Sequence, residues 1–133
     1  MGLITFPSVI IAIALFMLPV ITVEARGLSS VLTEITNEVN KNLPVMLDSA
    51  TRLDSTLAFD KKIYYKHTMV NSSAEEIESS SFYLGMNEKL INSYCTTPAM
   101  KAFRQYNIPC IWRYYGKHGK YITEIEVSPS QCK

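Results

Sequence analysis

From Leu3 to Val23 the chain carries no charge and is almost wholly apolar. A helix of that composition has no polar face and would dominate the core of so small a protein. It therefore reads as an export leader rather than as part of the fold. Pro19 closes the apolar run, and Val23-Glu24-Ala25 places β-branched or small residues where a signal peptidase inspects them. Residues 1–25 are accordingly assigned as a signal peptide, with cleavage after Ala25, and residues 26–133 as a single domain in the periplasm or outside the cell. One feature departs from this pattern: Met1 to Pro7 contains no Lys or Arg. The alternative is an uncleaved Leu3–Val23 segment, long enough to span a bilayer and anchor the domain. Only in that alternative does the membrane enter as a partner.

All thirteen basic residues and eleven of the twelve acids lie beyond Ala25, a formal charge of +2 for that part. This is too weak a field for nucleic acid or for a polybasic membrane surface. Residues 27–41 place Leu28, Val31, Leu32, Ile35 and Val39 on one helical stripe, and Leu43-Pro44 ends that helix. Val45 to Asp48 allows a short strand. Thr51 to Phe59 alternates, with Leu53, Leu57 and Phe59 on one side, and Lys61 to Val70 is a second, aromatic-rich strand. A hairpin near Asp60-Lys61-Lys62 joins them without a Gly or Asn.

Ser73-x-x-Glu76 matches a capping box for a helix running to Tyr94, weakened early by Ser79-Ser80-Ser81 and Gly85. Ile77, Tyr83, Met86, Leu90 and Tyr94 are its candidate core residues. Thr97-Pro98 starts a shorter helix with Met100 and Phe103 inward. Strands over 108–115 and 121–127 form a second hairpin through Gly116 to Gly119. The expected class is α+β: an N-terminal helix and one antiparallel sheet of about four strands, built from two hairpins, with helices on one face.

Three cysteines, Cys95, Cys110 and Cys132, allow three pairings in an oxidising compartment. Cys95–Cys132 is favoured because both follow element ends, where geometry can adjust. Cys110 lies mid-strand and reads as a small buried hydrophobe. His67 and His118 have no metal-ligand spacing around them, and no nucleophile motif or phosphate-cradling glycine loop occurs. Asp48, Asp54 and Asp60 suit turns better than acid–base work. No catalytic residue, metal or cofactor is assigned. Between Lys89 and Lys120 there are six bases and no acid: Lys89, Lys101, Arg104, Arg113, Lys117 and Lys120. They are the candidate interaction surface, for an envelope protein or an anionic envelope component. Tyr64, Tyr65, Trp112, Tyr114, Tyr115 and Tyr121 are a candidate aromatic contact patch.

The segment Asn42 to Thr56, the tyrosine-rich strand after it, Cys95 to Pro98, Trp112 to Tyr114 and Val127 to Cys132 together resemble a recurring group of small exported Gram-negative proteins. The likeness spans most of the chain beyond the leader. It implies an exported α+β fold with a disulfide, and no activity. Trp112 stands where the group's pattern has tyrosine, and Cys110 is additional. These observations favour an envelope protein that is a binding, inhibitory or accessory module and not an enzyme. The alternatives are a small enzyme whose site assembles only in three dimensions and a membrane-anchored subunit of an envelope apparatus.

Overall fold

The structure, a computed structural model, describes residues 27–133; the leader assignment lies outside them. Helix α1 covers residues 27–40. Strands β1 (Val45–Met46), β2 (Thr51–Phe59) and β3 (Lys62–Met69) follow. Helices α2 (Ser79–Thr96) and α3 (Lys101–Gln105) lead to β4 (Cys110–Gly116) and β5 (Tyr121–Val127). The sheet order is β1-β2-β3-β4-β5.

The α+β class holds, with two refinements. The sheet has five strands rather than four, because Val45–Met46 pairs with β2. It is also mixed: the two hairpins meet along a parallel β3–β4 seam, with Ile63 opposite Cys110 and Met69 opposite Gly116. Periodicity reports which face a side chain takes but not strand direction. The chain between β3 and β4 includes α2, whose eighteen residues rise about 27 Å. That return path, across one face, is what a parallel pair requires.

The β2–β3 hairpin turns on Asp60 and Lys61, both in the left-handed region (φ 52° and 56°), the conformation a two-residue turn needs. One residue in β2 changes its faces. Leu53 lies opposite His67 but Ser55 lies opposite Lys66, so Asp54 is bulged out. The expectation that Leu53, Leu57 and Phe59 share a side is therefore corrected, since a bulge reverses the alternation beyond it. Leu57 and Phe59 emerge on the sheet face away from the helices and stand 58% and 66% exposed.

The Ser73–Glu76 capping box forms, but it closes only a 3-10 turn over Ala74–Glu76. Ile77 is extended, and α2 begins at Ser79 under a new cap. The Glu78 carboxylate accepts from Ser80 N (3.2 Å) and Ser81 N (2.6 Å), and hydrogen bonds from these two serines bring its pKa down to about 2. Leu90 and Tyr94 pack inward as expected. Phe82, against Tyr114 at 4.9 Å, takes the role expected of Tyr83, which is exposed. Among the described residues the core gathers Leu32, Ile63, Tyr94, Ile108, Cys110, Trp112, Tyr114, Ile125 and Val127. Tyr94 donates its hydroxyl to Ile108 O at 2.8 Å. Cys95 and Cys132 form a disulfide that ties the end of α2 to the C-terminal tail, while Cys110 is a buried free thiol.

Where β1 stops, α1 takes over the edge of β2. The Asn40 amide donates to Thr56 O (2.9 Å) and accepts from Thr56 N (2.7 Å). The Thr56 hydroxyl donates to Asn40 Oδ1 and to Thr36 O. One side chain thus replaces a strand neighbour. Asn40→Ala should cost about 1–3 kcal/mol, the range for stranding such groups. Asn40→Asp should recover only part of it, because a carboxylate cannot donate to Thr56 O. Urea unfolding of the three proteins measures both.

Candidate functional site

Helix α1 lies over the Thr56 edge of the sheet, and only Leu32 and Thr36 of it are fully buried. The predicted stripe is wider than the surface beneath it, which leaves Ile35 and Val39 about 40% exposed (39% and 40%). Opposite them, Thr97-Pro98 starts the turn and helix that carry Met100, Phe103 and Tyr106. Between these walls runs an apolar groove. Its larger part, about 570 Å³, is lined by Leu28, Val31, Ile35, Ala102, Phe103 and Tyr106, with Gly27, Leu32 and Ile108. A second hollow of about 220 Å³ shares Ile35 and Phe103 and reaches down to Thr56, Ile63 and Tyr65. The α1 wall from residue 27 to 39 is about 18 Å long, room for about three helical turns of a guest. Among the described residues, nothing ionisable lines either hollow except the Tyr65 and Tyr106 phenols. Such a surface can bind an apolar group by shape and desolvation.

The chemically active side chains lie elsewhere. Cys110 is fully buried and its thiol is pushed up to about 12 by burial, so it is held neutral and inert. His67 is also buried, and its ring stacks on Tyr114 with centroids 4.9 Å apart. Among the described residues its Nδ1 has no hydrogen-bond partner. Burial lowers its pKa, against the opposing pull of the Arg113 and Tyr65 backbone and the Asp54 charge. Neither residue lines a described hollow. Among the described residues no three His, Cys, Asp or Glu side chains converge on a point that could hold a metal. Asp48 accepts from Ala50 N and Thr51 N in the β1–β2 turn, Asp54 sits in the bulge bonded to Arg52 and Thr68, and Asp60 turns the hairpin.

His67 gives the domain an acid sensitivity whose sign is set by burial. The unfolded chain takes up a proton near the ordinary histidine pKa of about 6.5, and the native state only at lower pH. Stability is therefore complete above that value and falls as pH drops below it. His67→Phe, which keeps a ring on Tyr114, should flatten the fall in Tm between about pH 7 and pH 5. An equal fall in both proteins would assign the effect to other groups.

The six predicted surface cations sit on several elements. Lys89 is exposed on α2 and Lys101 on α3. Arg104 turns inward and donates to Tyr94 O (2.6 Å) and Thr97 O (3.1 Å), capping the end of α2. Arg113 is on the open sheet face, paired with Glu124 at 2.8 Å. Lys117 is at the β4–β5 hairpin tip, and Lys120 beside it pairs with Glu75. The aromatic patch divides likewise. Tyr65 and Trp112 stack (5.5 Å) on the helix side with Tyr114, while Tyr64 and Tyr115 stand under Arg113 and Lys66 on the open face. The groove had a sequence signal in the over-wide α1 stripe and in Met100 and Phe103. That the two stripes face each other is a tertiary fact.

No known protein-family profile matches the chain. Protein K of Escherichia coli is 30% identical over 100 residues, which are 74% of this chain and 53% of that protein. The chain thus spans about half the length of the curated relative it matches. Three solved structures share the fold. A protein of Pseudomonas aeruginosa described as secreted superposes with a TM-score of 0.68 at 13% identity, over 80% of this chain and 93% of its own. The type 2 secretion system pilotin EpsS of Vibrio vulnificus gives 0.64 at 10% identity, over 81% and 94%. The type II secretion system pilotin AspS of Vibrio cholerae gives 0.61 at 10% identity, over 80% and 94%. At these identities the likeness establishes the α+β fold.

Proposed function

We propose that this protein is an exported, non-enzymatic accessory module of the cell envelope that holds an apolar segment of a partner polypeptide in the groove between α1 and α3. The observation that carries the reading is the groove itself: a hollow of about 570 Å³ walled by apolar side chains in a domain whose only free thiol and buried histidine are sealed in the core. A site that assembles chemistry in three dimensions would join Cys110 or His67 to a carboxylate in a concavity, and neither residue lines a described hollow. The leader over residues 1–25 supports export, with the mature domain starting at Arg26. The fold shared with a protein described as secreted and with two secretion-system pilotins supports an envelope role and an assembly partner. In this reading Lys101, exposed on α3 beside the groove, steers an acidic flank of the partner toward it. Lys89 and Lys117 are exposed on other elements, and Arg113 and Lys120, paired with Glu124 and Glu75, take no part in this steering.

A photo-crosslinking residue placed at Ile35 or Tyr106 in living cells tests the site. Both groove positions should give the same discrete envelope adduct, a residue at exposed Leu84 on α2 should not, and Ile35→Glu should abolish the adduct formed from Tyr106. No adduct, or equal labelling from Leu84, would remove the groove from the function. Sequencing the N-terminus of the envelope product tests the leader: a start at Arg26 is expected, and an intact Leu3–Val23 would make the protein an anchored one.

A further inference from the structure

The sheet face turned away from the helices is not a uniformly solvated surface. Because Asp54 is bulged, β2 sends Leu57 and Phe59 out of this face, and they are among the most exposed large apolar side chains of the described domain. Their cross-strand neighbours are Tyr64 and Lys62. One step along the sheet, the parallel register sets Lys66 beside Arg113. Like charges directly opposite on neighbouring strands repel. Here the repulsion is relieved only partly, by Glu124 on Arg113 and by rings: Arg113 stands 4.6 Å over Tyr64 and Lys66 5.1 Å over Tyr115. A shallow hollow of about 130 Å³ lies among Ser55, Leu57, Tyr64, Lys66, Arg113 and Tyr115. Arg113 donates its Nε to Glu124 at 2.8 Å.

The face is also polarised. Glu124 and Glu126 lie on β5, whereas the β2–β3 half carries Arg52, Lys61, Lys62 and Lys66 against Asp60 and Asp54, the latter held by Arg52 and Thr68. Lys62 reaches across to Glu126 at 2.8 Å. The β2–β3 half thus combines two exposed apolar side chains at a hairpin end, tyrosines beside them and surplus lysines around them. Apolar tips that enter a hydrocarbon boundary, aromatics that lie at headgroup depth and cations that meet lipid phosphates are the components of an interfacial membrane contact.

The geometry points to the β2–β3 half of the open sheet face as a peripheral membrane-binding surface, which seats Leu57 and Phe59 in an anionic phospholipid bilayer with Lys66 and Arg113 on headgroup phosphates. The groove lies on the opposite, helical side of the sheet. A domain resting on a membrane in this way would hold its groove toward the aqueous compartment. The inference does not depend on the groove reading, since it rests on other residues and a different face.

The test uses the whole protein as recovered from the envelope, with its disulfide intact, and each variant is compared with that parent. Co-sedimentation is measured with vesicles of phosphatidylglycerol and phosphatidylethanolamine, and with vesicles of phosphatidylcholine alone. Binding is expected to the anionic vesicles and to weaken as salt is raised. Leu57→Ser with Phe59→Ser should weaken it about tenfold or more, and Lys66→Gln about fivefold. Both alter exposed side chains, and an unchanged circular dichroism spectrum and Tm confirm their fold. Ile35→Glu, in the groove, should bind vesicles as the parent does. Equal binding to phosphatidylcholine, no binding to either vesicle, or an undiminished Leu57/Phe59 double variant would overturn the inference. So would loss of binding in Ile35→Glu, which would place lipid in the groove instead.

Discussion

Replacing Cys132 with serine is expected to destabilise the domain by about 4 kcal/mol. The bridge joins residues 37 positions apart, and closing a loop of that length removes this much chain entropy from the unfolded state in the loop-closure model. It is a large share of the roughly 5–15 kcal/mol that holds a small domain together. The native contacts the bridge protects are the docking of the C-terminal 3-10 turn (Pro129–Gln131) against the end of α2. Urea unfolding with and without reductant measures the effect. The parent should lose the same stability on reduction, and Cys132→Ser should be indifferent to reductant. Cys110 supplies the internal control. As a sealed thiol pushed up to about 12, it should react with a thiol reagent in the oxidised parent only after denaturation. Two thiols titrating in the unreduced folded protein would show that the bridge does not form.

The same substitution at two glycines should have opposite signs. A Cβ on Gly116 would stand 2.4 Å from Ala74 N and 2.9 Å from Ser73 C. Both are backbone atoms, so no side chain can rotate away. This is where the β4–β5 hairpin presses on the 3-10 turn, with Lys117 N donating to Ser72 O at 2.9 Å. Gly116→Ala should cost about 3 kcal/mol or more, because two backbone segments must separate and a hydrogen bond opens. At Gly85, inside α2, a Cβ meets nothing within 4 Å. Gly85→Ala should raise stability by up to about 1 kcal/mol through helix propensity. Thermal unfolding of the two variants reads the contrast directly. A tolerated Gly116→Ala would mean the hairpin and the turn are not in contact.

Much of the architecture is legible in local chemistry. The α1 stripe, the two hairpins, Thr97-Pro98 as a helix start, and the alternation around Cys110 and Trp112 each follow from period and punctuation, because they depend on residues within a turn or two of one another. The capping box at Ser73 was legible too. Its reach was not, since the helix proper waits for the Glu78 carboxylate beyond an extended Ile77. Phe82 takes the place expected of Tyr83 against Tyr114, while Met86, Leu90 and Tyr94 keep their expected inward side.

The chain alone determined an α+β fold, with Cys110 as the thiol kept in the core. The tertiary structure decided what no local pattern encodes. Strand direction across the β3–β4 seam depends on a return path through two helices. The bulge at Asp54, which turns Leu57 and Phe59 out of the sheet, depends on a register shared with β3. The groove depends on α1 and α3, about sixty residues apart in sequence, lying side by side and leaving their apolar stripes incompletely covered. Each of these is a relation between distant segments, and periodicity describes one segment at a time.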